Sequence, residues 1–221
     1  MVKGLRTEYD RQYAEVQDSI LRMGGLVERA ITDALLCLQN RDQALAEEII
    51  TNDAVINELR FTIEENCVKL IATQQPAATD LRAVLAALSI VVDLERMGDH
   101  AAGIAKTVIR MGDKPLLKPL IDIPKMAEIS RTMLGESLQA YIERDEASAR
   151  AIAARDDEMD HLYKAIFDEL VGMMSESPSA VERATYLLWS AHNLERIGDR
   201  VTNIAERVVF VGTGDMKELN V

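Results

Sequence analysis

A six-residue segment of this chain occurs twice with a single change. Leu94-Glu95-Arg96-Met97-Gly98-Asp99 returns one hundred positions later as Leu194-Glu195-Arg196-Ile197-Gly198-Asp199. The same offset of 100 relates Leu88 to Leu188 and Ile104-Ala105 to Ile204-Ala205. At an offset of 103, Asp42 aligns with Asp145, Asp53 with Asp156, Ile56 with Met159 and Leu59 with Leu162. Proline-marked breaks at Pro76 and Pro178 correspond as well. Such self-similarity is the mark of one structural unit used twice, so any fold proposed for the chain must be built from two similar halves.

The unit is helical. Only 5 prolines and 11 glycines occur in 221 residues, and Ala, Leu, Glu, Met and Arg dominate. These residues lose little rotamer freedom in a helix. Turn signals fall at Asn40-Arg41-Asp42, Gln75-Pro76-Ala77, Gly112 to Pro124, Asp145, and Ser175 to Ser179. Between them the apolar residues follow helical spacing. The pattern predicts six long helices at 6–39, 42–73, 77–111, 122–143, 145–175 and 178–210. Long helices joined by short loops lie antiparallel. The expected fold is therefore all-α, two tandem three-helix bundles related by duplication. The first bundle is assigned to 1–111, the linker to 112–124 and the second bundle to 125–221.

Charge narrows the range of partners. Asp plus Glu outnumber Lys plus Arg by 37 to 25, a net charge of −12. A chain this acidic is a poor match for a phosphate backbone or an anionic membrane surface, so nucleic-acid binding is not expected. The richest apolar stretch, Ala83 to Val92, ends at Asp93, well short of a membrane span. The N-terminus carries no secretory apolar segment. Cys37 and Cys67 lack metal-ligand spacing and sit among apolar neighbours, which suits reduced, buried thiols and a cytoplasmic location, with a disulfide between them as the alternative.

The chemistry lies in acidic ladders. In the last helix Leu187, Leu194, Ile197, Val201, Ile204 and Val208 form the core stripe. Glu195, Asp199 and Asn203 run at i, i+4, i+8 on another face, more than about 90° away. Glu95 and Asp99 stand in the same relation to Ala87, Ile90, Leu94, Met97, Ala101 and Ile104. On the second helix of each unit, Asp156 and Asp160 border Ile152, Met159, Leu162, Ile166 and Leu170, while Asp53 and Asn57 border Ile49, Ile56, Leu59 and Ile63. These ladders are expected on the outside of the bundles or along a groove, where neighbouring pairs converge. Like charges at i, i+4 repel by only about 0.2–0.5 kcal/mol, so a single pair reads first as a solvated face. Two observations favour a cation site: the pattern is doubled, and a glycine lies inside each helix at a cost of about 1 kcal/mol relative to alanine. That glycine implies a close approach there, for example by a neighbouring backbone. Hard oxygen ligands on adjacent turns suit magnesium, manganese or iron.

Other residues have blander readings. His192 lies one turn before Glu195 and reads as a partly packed histidine, with ligation as the alternative. His100 and His161 are expected to face solvent, Trp189 to pack, and Arg96 and Arg196 to pair with the acids. No phosphate loop, nucleophile elbow or zinc-protease motif is present, and the paired E-x-x-H elements of di-iron bundles are missing. No catalytic residue is assigned. A metal-dependent carboxylate enzyme, a metal-storage bundle and a metal-free helical adaptor are the rival readings.

The twin segments LERMGDHAAGIAK and LERIGDRVTNIAE resemble the signature of the PhoU family, regulators of phosphate uptake, and the likeness extends over nearly the whole chain. The resemblance implies metal clusters on the bundle surface, with iron or zinc, held by Glu195, Asp199, Asn203, Asp156 and Asp160 in the second half and by Glu95, Asp99 and Asp53 in the first. Gly103 stands where Asn203 does and Asn57 where Asp160 does, so the first site is expected to be weaker. The resemblance also implies a negative regulator of the phosphate-starvation response. Such a regulator works between the ATPase subunit of a phosphate ABC transporter and a sensor histidine kinase, as a homodimer or higher oligomer.

Overall fold

The computed structural model describes the backbone from Val2 to Leu219 and the side chains from Thr7 to Leu219. Among the described residues the regular structure is entirely helical: α1 (Val2–Asn40), α2 (Gln43–Gln74), α3 (Thr79–Met111), α4 (Asp122–Glu143), α5 (Glu146–Ala153), α6 (Asp156–Glu176) and α7 (Val181–Thr213), with a 3₁₀ turn at Pro178–Ala180. Among the described residues no helix is long and apolar enough to cross a membrane.

The duplicated sequence signals do the same work in both halves. Asp42 caps α2 by accepting the Leu45 amide at 3.0 Å, and Asp145 caps α5 by accepting the amides of Ala147 (3.0 Å) and Ser148 (3.1 Å). An N-cap carboxylate satisfies amides that the first turn leaves without partners. α2 closes at Gln75 in the left-handed region, just before Pro76, and α7 closes at Gly214 with φ +80. That conformation suits glycine and ends a helix.

The helix expected over 145–175 is two helices. After Ala153 the chain tightens, with Arg155 N donating to Ile152 O at 3.0 Å, and α6 starts afresh at Asp156. Its first turn carries Asp156, Asp157 and Glu158. Three acids favour a helix N-terminus through the peptide dipoles. In the first half α2 runs unbroken through Asp53.

Within each half the three helical segments pack against one another, and α1 also meets α4. α3 and α7 lie along each other in opposite directions, so the most extensive contact in the molecule joins the two repeats. From end to end this seam is marked by Arg82 donating to Val211 O (3.1 Å), Asp93 facing Asn203, His100 facing Asn193, and Lys114 paired with Glu182. One apolar cluster runs through both halves. The expected core stripes of α3 and α7 are buried throughout, as are Ile49, Ile56 and Ile63 of α2 and Met159, Ile166 and Leu170 of α6. Both cysteines are free and buried, and burial pushes their thiols up to about 12. Trp189 departs from expectation. It is 42% exposed on the outer face of α7, with the Arg110 guanidinium of α3 lying 5.4 Å over its ring.

Candidate functional site

Each motif glycine receives an acidic side chain from the neighbouring helix. A Cβ on Gly98 would stand 3.2 Å from Asp53 Oδ1 and 3.0 Å from Ile56 Cδ1 of α2. A Cβ on Gly198 would stand 3.0 Å from Asp156 Oδ1 and 3.4 Å from Met159 Cγ of α6. The close approach read from the sequence is therefore real, but side chains make it rather than a helix backbone. The missing methyl leaves room for a carboxylate to lie on the helix surface beside the E-x-x-x-D pair.

The ladders are more enclosed than their position off the core stripe suggests. Glu95, Glu195 and Asp156 are buried, at 8%, 7% and 8% exposure. Asp53, Asp99, Asp199, Asn57 and Asn203 are half-buried, and Asp160 is exposed. Packing of α2 and α6 across the motif turns forms a groove, and arginines roof it. Arg96 approaches Glu95 Oε2 at 3.4 Å and donates to Asp99 Oδ2 at 3.0 Å. Arg196 bridges Glu195 and Asp199 in the same way, its Nη1 lying 2.8 Å from Asp199 Oδ2. The pairing expected of these arginines is thus present in both halves.

The carboxylates crowd one another. Burial, and behind it the charges of Asp99 and Glu95, hold the Asp53 carboxyl above its ordinary pKa. Burial also raises Asp199; Arg196 opposes this, while Glu195 and Asp160 add to it. Asp53 Oδ1 is buried without a hydrogen-bond partner, whereas Glu95 Oε2, also without a hydrogen bond, has the Arg96 guanidinium 3.4 Å away. An unpaired buried oxygen costs roughly 1–3 kcal/mol, so such atoms call for a reason.

Among the described residues, no three of His, Cys, Asp and Glu converge closely enough to hold a metal as the side chains stand. The donor set nevertheless fits a hard cation. It consists of carboxylate and carboxamide oxygens, the first half holds an orphaned buried oxygen at Asp53, and each half has a glycine cradle. A metal would draw on Glu195, Asp199, Asp156, Asp160 and Asn203 in the second half and on Glu95, Asp99 and Asp53 in the first. It would supply the positive charge that the arginines supply here. A cleft of about 540 Å³ opens beside Asp156, Asp199 and Asn203, and one of about 300 Å³ beside Asp53 and Gly98.

Several side chains stand differently from their sequence reading. His100 is half-buried in the seam, its Nδ1 3.0 Å from Asn193 Oδ1, rather than facing solvent, because α7 covers that side of α3. His161 is exposed. His192 is largely exposed, with Nδ1 3.5 Å from Glu195 Oε2 and its ring centroid 5.9 Å from that of Tyr163. Asn203 lies across the seam, its Nδ2 donating to Asp93 Oδ1 at 3.0 Å. Two contributors were not singled out in the sequence. Arg60 reaches Glu95 Oε1 at 3.1 Å, and Asp93 is buried at 7% exposure. Asp93 did leave a signal, being the charge that interrupts the apolar run of α3.

The family model described as PhoU domain matches twice, at residues 20–108 and 123–208, one match per repeat. A phosphate-specific transport system accessory protein PhoU homologue of Clostridium acetobutylicum is 39% identical over 216 residues, spanning 97% of this chain and 99% of the relative. A homologue of the same name from Rhizobium meliloti is 36% identical, spanning 95% and 89%. The crystal structure of the phosphate transport system regulatory protein PhoU from Streptococcus pneumoniae superposes with a TM-score of 0.89 at 35% identity, covering 95% of this chain and 99% of that one. PhoU from Pseudomonas aeruginosa gives a TM-score of 0.89 at 34% identity over 94% and 100%. With two matched repeats, near-complete coverage and the same fold, this chain belongs to the PhoU family.

Proposed function

We propose that this protein is a regulatory accessory protein of phosphate transport. It acts without catalysis in the cytoplasm, between the ATPase subunit of a phosphate ABC transporter and a sensor histidine kinase, and it restrains the phosphate-starvation response. The observation that carries this reading is the near-full-length likeness to proteins named for phosphate-specific transport, with the acidic motif doubled. The helices form a rigid platform with two acidic grooves. In this reading each groove takes a cation such as iron, zinc, manganese or magnesium, which neutralises the carboxylates and sets the surface offered to partners. Two copies associate through exposed helical faces.

The test is complementation. In a bacterium lacking its own homologue and carrying a phosphate-starvation reporter, the intact chain restores repression in phosphate-rich medium. A reporter that stays derepressed despite normal protein levels contradicts the proposal. One observation favours a second reading, a metal-free adaptor: Arg96 and Arg196 already neutralise both acid pairs. Full repression by a Glu195→Gln/Asp199→Asn variant would select that reading.

A further inference from the structure

The seam between α3 and α7 is a near two-fold in which 93 mirrors 193 and 103 mirrors 203, yet its two ends are chemically unequal. At one end Asp93 of the first repeat accepts Asn203 Nδ2 at 3.0 Å, with Arg200 Nη1 3.4 Å away on the same oxygen. At the other, Asn193 turns its Oδ1 to His100 at 3.0 Å and gives its amide to Trp189 O at 2.8 Å. There Gly103 faces it, and a Cβ on Gly103 would come within 2.8 Å of Asn193 Oδ1. An asparagine therefore fits at 203, whereas at 103 it would have to push the Asn193 carboxamide off its contacts with His100 and Trp189.

A carboxylate can only accept hydrogen bonds, whereas a carboxamide has a donating and an accepting end. Asp93 thus fixes which end of Asn203 faces the seam and leaves the carbonyl oxygen for the other side. Asn203 also lines the cleft shared by Asp156 and Asp199. We propose that Asp93 is a positioning residue for the second acidic site. Supplied by the opposite repeat, it orients Asn203 toward a cation held there, while Asn193 denies the first site the same ligand. This rests on the metal reading above. It makes the inequality of the two sites a property of the seam, beyond the loss of an asparagine in one motif.

The test titrates Mn²⁺ into metal-free protein whose first site is disabled by Glu95→Gln/Asp99→Asn. Asp93→Ala is expected to weaken binding by about 10–100-fold, the usual effect of losing a group that orients a ligand. Asp93→Asn, which keeps an acceptor but no longer dictates the amide's orientation, should lose less. In an Asn203→Ala background Asp93→Ala should have no further effect, because the two act as one unit. A purely structural Asp93 would instead lower the metal-free melting temperature and leave Mn²⁺ affinity alone in every background. If Asp93→Ala does not fold, Asp93→Asn and the cycle built on it carry the same test. Tight Mn²⁺ binding that survives Asp93 substitution overturns this proposal alone. No Mn²⁺ binding by the parent protein overturns the metal reading and this proposal with it.

Discussion

At the scale of single residues, the two motif glycines decide whether an acid from the neighbouring helix can reach the groove. A helical glycine ordinarily weakens a helix, so its presence at 98 and 198 needs a steric reason, and Asp53 and Asp156 provide it. Gly135 in α4 has nothing within 4 Å of its Cβ position and no such reason. Urea denaturation should separate the two cases. Gly98→Leu and Gly198→Leu should each destabilise by about 2 kcal/mol through overpacking. Gly135→Ala should stabilise by up to about 1 kcal/mol. A stabilising Gly198→Leu would mean that Asp156 is free to move away and that the cradle is incidental.

At the scale of elements, the helix starts are the clearest carry-over from sequence to structure. Asp42 and Asp145 align in the repeat, and they cap α2 and α5, the helices that follow the first turn of each half. Asp42→Ala should destabilise by about 1 kcal/mol. Hydrogen bonds from the Ser148 hydroxyl and amide and from the Ala147 amide hold Asp145 below its ordinary pKa. Its stabilisation is therefore complete above the unfolded carboxylate pKa and is lost as pH falls through the lower, folded value. Thermal unfolding should show Asp145→Ala melting below the parent at neutral pH and the two converging in acid. A gap independent of pH would contradict the capping role. Some features were hidden at this scale. The break before Asp156 falls in Ala153-Ala154-Arg155, residues that favour helix, and only the three acids that follow betray it. Helical periodicity tells which face a side chain occupies on its own helix. It does not tell which helix covers that face. This is why the core stripes, Asp53 and Asp156 were legible, whereas the burial of Glu95 and Glu195, the reach of Arg60 and the seam contact of His100 were not.

At the scale of the whole molecule, two repeats legible as separate units share one core through α3 and α7. The molecule should therefore unfold as one unit. Trp189 is the only tryptophan and lies beneath Arg110 at the seam, so its fluorescence reports on the joint while far-UV circular dichroism reports on all helices. The two denaturation curves should coincide, and a fluorescence change preceding helix loss would contradict a shared core. In the proposed reading the seam also bears on function, because Asp93 of one half holds Asn203, which lines the cleft beside the acids of the other. The central claim is that these grooves are cation sites and more than solvated acids. It is tested most directly by elemental analysis of untagged protein beside Glu195→Gln/Asp199→Asn and Glu95→Gln/Asp99→Asn, after exposure to iron, zinc and manganese. The expected result is stoichiometric metal in the parent, lost mainly in the 195/199 variant. Metal at background in the parent and both variants would contradict the claim and leave the grooves as arginine-neutralised surfaces.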